Sequence, residues 1–140
     1  MAFREKVAWS AFLTTLLIWG AYFAVVVAEV GAPAHGMKMV WLFVAATIAQ
    51  AVLMGTATAI WAIRAPDEAN ARPDERDQAV SRRASGIAYL VLVLSVVAVI
   101  VGLHLGLHGS GTVFALIGAF ILGEAARFGA QAIGYRRGAA

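Results

Sequence analysis

The chain has 140 residues, 61% of them apolar, with a formal charge of +3 and no cysteine. A soluble domain averages roughly 45–50% apolar residues, so one water-facing core cannot absorb this composition, and a mean hydropathy of +0.80 agrees. The missing cysteine excludes disulfides and thiolate metal sites, and the basic residues form no single water-facing patch of the kind nucleic acid requires.

In chain order, the first apolar run follows Arg4 and Lys6, carries no charge from Val7 to Ala28, and ends at Glu29. A cleaved signal peptide is the competing reading, with Ala32-Pro33-Ala34 as its cleavage site. An h-region is only about 7–15 residues long, however, whereas this run has transmembrane length. A retained first span over 7–30 is therefore expected. The second span, over 39–63, lies between Lys38 and Arg64, with Gly31 to Met37 as a short connection before it.

The polar segment 64–83 comes next. Pro66 and Pro73 predict a non-helical start, because proline lacks the amide donor and restricts its predecessor. Asp74 then reads as a helix cap, with Glu75 and Asp77 suited to the positive end of the helix dipole. A third span over 84–107 follows, then a short connection at His108 to Gly111. The fourth span, over 111–134, is interrupted by Glu124 and Arg127.

The basic residues set an orientation. Arg4, Lys6, Arg64, Arg72, Arg76, Arg82, Arg83, Arg136 and Arg137 flank the same ends of the spans, while the opposite connections hold only Lys38. By the positive-inside rule both termini and the middle loop are expected in the cytoplasm. Trp9, Trp61, Tyr89 and Tyr135 fall at the inner interface and Trp41 and Phe114 at the outer one. Trp19 lies mid-span and is assigned to packing.

The expected fold class is therefore all-α: a polytopic membrane protein whose four transmembrane helices form two hairpins, N-in and C-in, in one domain. Lipid tails supply no hydrophobic force between helices, so small residues mark contact faces. Gly20, Ala24 and Ala28, then Thr47, Ala51, Gly55 and Ala59, then Ser95, Ala98, Gly102 and Gly106 are the predicted stripes. The two halves also look weakly alike, which raises a duplication about an axis along the membrane normal.

Three groups of residues carry candidate chemistry. Glu124, Arg127, Gln131 and Tyr135 share one face of the fourth span. A charge at mid-bilayer costs about 2.5–3.5 kcal/mol on insertion scales and so needs a partner or water. The readings are an intramembrane site for a proton, ion or substrate, or a structural ion pair. His104 and His108 are predicted on one face of the third span, at the end where His35 and Glu29 also lie. Imidazole and carboxylate at that spacing suit a metal, or one histidine could ligate haem; a pH-responsive outer gate is a further reading. Asp67, Glu68, Asp74, Glu75 and Asp77 oppose the loop arginines. They form either a solvated linker, a docking surface with Arg76, Arg136 and Arg137, or a lock onto Arg127, Arg136 and Arg137. No nucleophile elbow, zincin helix, P-loop or dinucleotide fingerprint is present, so no enzyme is expected.

Phe3-Arg4-Glu5-Lys6 with Ala8-Trp9, Asp74-Glu75-Arg76-Asp77 with Arg82-Arg83-Ala84 and Ile87-Ala88-Tyr89, and Gly123-Glu124 with Arg127, Gln131 and Tyr135-Arg136-Arg137 together resemble a known group. It is a family of small, uncharacterised four-helix bacterial inner-membrane proteins with an Asp-Glu-Arg-Asp signature before the third helix. The resemblance implies that location and brings no activity, substrate or cofactor. Its residues belong to the cytoplasmic side, and the histidines are outside it. The expected function is a non-enzymatic accessory or regulatory protein docking a cytosolic or membrane partner through its cytoplasmic face. A small homo-oligomeric transporter or channel using Glu124 is the alternative, and metal or haem binding at the histidines the third reading.

Overall fold

The computed structural model describes residues 3–29 and 35–137, with backbone only at 35–36. The elements are α1 (Phe3–Ala28), α2 (His35–Arg64), α3 (Pro66–Asn70), α4 (Glu75–His104) and α5 (Ser110–Arg137), and no strand occurs among the described residues. Four of the five helices are long and apolar enough to cross a membrane. The protein is built as a multi-pass membrane protein. The first connection falls mostly on 30–34, outside the described residues.

Each boundary has a local cause. Asp74 caps α4 by accepting the Asp77 amide at 2.6 Å, while Asp77 accepts the Asp74 amide at 3.3 Å, which closes a reciprocal capping box. The linker start is helical, contrary to expectation. Pro66 stands in the first turn of α3, where the missing amide costs nothing and the fixed φ suits a helix. The third long helix ends earlier than the expected 107. Gly106 adopts φ 105°, its amide donates to the Leu103 carbonyl at 3.3 Å, and the Leu107 amide donates to the Gly102 carbonyl at 2.9 Å. That pair of bonds is a Schellman motif with glycine at the left-handed position. Leu107 folds back so that a Cβ on Gly102 would meet its Cδ2 at 3.4 Å.

The long helices pack in the order α2, α1, α5, α4. α1 and α5 take the middle, and the flanking α2 and α4 do not pack along one another. The chain exposes 8923 Å², against roughly 7,000 Å² for a compact soluble monomer of this mass. The excess fits an open array whose two faces are left to lipid or to other chains. The first helix of one hairpin thus packs on the second helix of the other. A two-fold axis along the membrane normal would exchange α1 with α4 and α2 with α5, and so cannot preserve this order. The arrangement does not carry the duplication.

α1 buries Glu5, Ala8, Ala11, Thr15, Trp19, Tyr22 and Val26, a stripe spaced by three and four. Around Trp19 a cluster forms with Tyr22, Val26 and Met39. The ring centroids of Trp19 and Tyr22 are 5.6 Å apart at 76°, and Phe43 of α2 lies 5.6 Å from Trp19. Such pairs contribute about 0.5–1.5 kcal/mol each. Trp19 is therefore a packing residue.

The predicted small-residue stripes do not make the contacts. Gly20, Ala24 and Ala28 are exposed, as are Thr47, Ala51, Gly55 and Ala59, and Ser95, Ala98, Gly102 and Gly106 are exposed or half-buried. The contact glycines are on α5 instead. A Cβ at Gly129 would lie 3.0 Å from Phe12, at Gly123 3.4 Å from Leu92, and at Gly134 2.8 Å from Val80. α5 sits in the middle because its small residues let both neighbours approach.

Candidate functional site at the arginine-rich end

Three segments meet where α1 begins, α4 begins and α5 ends. The first-turn amides of a helix have no intrahelical acceptor. The Phe3 amide of α1 donates instead to Glu68 Oε2 at 2.7 Å, which fastens α3 to α1. Arg4 donates from Nη2 to the Ala71 carbonyl at 2.9 Å, and its Nε lies 2.9 Å from Asp77 Oδ2. Arg76 donates to the Tyr135 carbonyl at 3.2 Å, a contact between the start of α4 and the end of α5.

The middle segment is consequently docked, not a free linker. It locks onto Arg4 and the α1 amide, and not onto Arg127, Arg136 or Arg137 as one reading expected. Glu75, Arg136 and Arg137 are exposed and form no salt bridge among the described residues. Arg4, Pro73, Asp77, Gln78, Ser81 and Gln131 line a polar recess of about 430 Å³ together with Arg82 and Tyr135. Arg4 and Ser81 were not recognisable beforehand as parts of one site, since no local spacing links α1 to the first turns of α4.

Farther along α5 stand the two charged residues of its middle. Glu124 pairs with Arg127 of its own helix at 3.5 Å, and no other helix supplies a partner among the described residues. Their side chains stay 32% and 42% exposed, and Arg127 leans over the Phe128 ring at 5.4 Å. Glu124 and Arg127 thus lie on an outer face of the array, not in an enclosed interior.

A second polar group lies between α1 and α2. Gln50 donates from Nε2 to Thr15 Oγ1 at 3.0 Å, and the Trp61 indole N–H donates to Ser10 Oγ at 3.1 Å. Gln50 Oε1 is buried without a partner among the described residues, and so is Trp9 Nε1. Sequence reading missed this group, because single Ser, Thr and Gln residues in an apolar run show no motif. Glu5, 4% exposed, is the one buried charged side chain among the described residues and was also missed as a site residue.

The single helical face expected for His104 and His108 does not form. α4 ends at His104, so His108 lies beyond the Gly106 turn and is not on a helical face with it. His104 Nδ1 lies 2.8 Å from the Ile100 carbonyl, and Glu29 is salt-bridged to Lys38. The His35 side chain is outside the described residues. Among the described residues no three His, Cys, Asp or Glu side chains gather as a metal would need.

The chain matches no family model, no curated protein and no solved structure.

Proposed function

We propose that this chain is a non-enzymatic accessory or regulatory subunit that docks a partner protein through its arginine-rich end and the adjoining face of α5. The positive-inside rule supports a cytoplasmic position for that end and for both termini. The resemblance noted in the sequence supports a bacterial inner membrane. One observation carries the reading: the mid-span pair Glu124–Arg127 is satisfied only along its own helix, with about a third or more of each side chain open. Charges at that depth face protein or water, not lipid. A second chain laid along Glu124, Arg127, Gln131 and the recess at Arg4 and Asp77 would supply the cover. Asp74 and Asp77 hold the surface in shape, and Glu75, Arg76, Arg136 and Arg137 present charge to the cytosol.

Tagged full-length protein recovered from its own membranes tests this. Glu75→Lys with Arg136→Glu alters two exposed side chains that make no hydrogen bond among the described residues, so the fold is retained. A specific co-purifying protein should be lost with that pair and with Glu124→Gln. Its undiminished recovery from both variants would remove the proposal.

The same carboxylate supports a second reading, a homo-oligomeric transporter or channel. Because Glu124 faces outward in one copy, the pathway would have to run between copies. Proton or ion flux into liposomes, abolished by Glu124→Gln, is its signature, and absent flux excludes it.

A further inference from the structure

The face of the array that holds Arg83 and Arg137 carries a groove of about 790 Å³ between α4 and α5, closed on the α1 side by Phe12. That volume lies within the roughly 300–1,000 Å³ range of small-molecule sites. Its floor is made of small residues, Ala126, Gly129 and Ala130, and its wall of Ile87 and neighbouring aliphatic groups of α4. Only one end of the groove is charged.

The two rim arginines, like Arg72, Arg82 and Arg136, are not held by another group of the chain among the described residues. Arg4 pairs with Asp77, Arg127 with Glu124, Arg76 with the Tyr135 carbonyl, and Arg64 lies 5.7 Å from the Trp61 ring centroid. Arg83 and Arg137 are exposed and enter no salt bridge or side-chain hydrogen bond among the described residues. A guanidinium fork is built to hold phosphate oxygens in a bidentate manner.

Length selects the occupant. Along α5 the groove runs from Leu122 to Arg137, about 22 Å at the helical rise of 1.5 Å per residue. One leaflet with its headgroup layer is half of a 40–45 Å bilayer, so about 20–22 Å. A partner helix crossing the whole membrane would need twice that length and no anion at this depth.

We propose that this groove is a binding site for an anionic glycerophospholipid of the inner leaflet. One of its acyl chains lies over Ala126 and Ala130 against Phe12, and its phosphate sits between Arg83 and Arg137. The inference requires that the chain is embedded in a membrane, and its choice of the inner leaflet rests on the cytoplasmic position proposed above for the arginine-rich end. The groove shares Arg137 with the partner surface proposed above, but Arg83 and the groove floor lie outside that surface, so loss of lipid in the Arg83→Gln and Ala130→Phe variants is distinguishable from loss of the partner.

Full-length protein in neutral detergent, titrated with phosphatidylglycerol or with phosphatidylcholine of the same acyl chains, provides the test, with bound lipid counted by native mass spectrometry. Phosphatidylglycerol should bind more tightly than phosphatidylcholine. Arg83→Gln with Arg137→Gln should weaken it about thirtyfold, from roughly a factor of five per arginine near the headgroups. Arg136→Gln, outside the groove, should change it less than either single rim variant. Ala130→Phe should lower binding of both lipids by filling the floor. Equal binding of the two lipids, or full binding to the double glutamine variant, would overturn the proposal. So would competitive displacement by inorganic phosphate, which indicates a free-anion site, or a lipid-free dimer that Ala130→Phe dissociates, which indicates a second copy. Should Ala130→Phe fail to fold, the rim variants, changed only at exposed side chains, still decide.

Discussion

The Arg4 guanidinium lies 2.9 Å from the Asp77 carboxylate, and this pair joins the first turns of α1 and α4 across the two hairpins. Both side chains are partly shielded, at 30% and 21% exposure, and the Asp74 amide also donates to Asp77. Solvent screening keeps the contribution of such pairs to about 0.2–1 kcal/mol. A double-mutant cycle with Arg4→Ala and Asp77→Asn, read by thermal unfolding in detergent, should give a coupling in that range that falls as salt is raised. No coupling at low salt would mean that the pair does not join the hairpins.

Thr15 and Gln50 should respond unequally to deletion. Thr15→Val leaves the Gln50 amide with its one short partner gone and a buried carbonyl oxygen already unpaired. Interhelical bonds in membranes average about 0.6 kcal/mol, with a maximum near 1.7. Gln50→Leu removes the amide and its unpaired oxygen together. The Thr15 hydroxyl it strands is able to bond a carbonyl one turn back in α1, so Gln50→Leu should cost less than Thr15→Val. The reverse order in unfolding temperature would contradict the hydrogen-bond assignment.

Two glycine-to-alanine changes should have opposite signs. At Gly20 a Cβ meets nothing within 4 Å, so Gly20→Ala should gain up to about 1 kcal/mol from helix propensity. At Gly134 the same methyl would lie 2.8 Å from Val80 Cγ1, next to a stiff β-branched side chain. Gly134→Ala should therefore destabilise, by about 1–3 kcal/mol. Equal shifts in melting temperature would show that α5 does not pack closely on α4.

Gly106→Ala should cost about 1–2 kcal/mol, because φ of 105° is strained for any residue with a Cβ. Hydrogen exchange should report faster opening at the Gly106 and Leu107 amides, which close the end of α4. Unchanged protection there would argue for a helix that continues through His108.

Helix starts and stops were legible where the signal is local. Asp74 is the clearest instance, since the cap, the acidic first turn and the apolar run behind it lie within a few residues. Gly106 carried an equally local signal as a glycine ending an apolar run, but it read as part of a packing stripe. Trp19 was assigned to packing for the right reason, a large aromatic placed far from either interface. The candidate site was legible only in pieces. Asp77, Gln131 and Tyr135 stood out as polar residues at span ends, yet nothing in their spacing named Arg4 as the group that unites them.

Composition and charge order by themselves determined four membrane-length helices and one arginine-rich end, because span length and charge are properties of consecutive residues. Which helices touch was decided only in three dimensions. In lipid a helix is apolar all round, so periodicity does not single out its contact face, and alanine and glycine occur on every side. α5 became the centre of the array because Gly123, Gly129 and Gly134 happen to meet Leu92, Phe12 and Val80. The outward position of Glu124 and the leaflet-length groove beside Arg83 both follow from that packing.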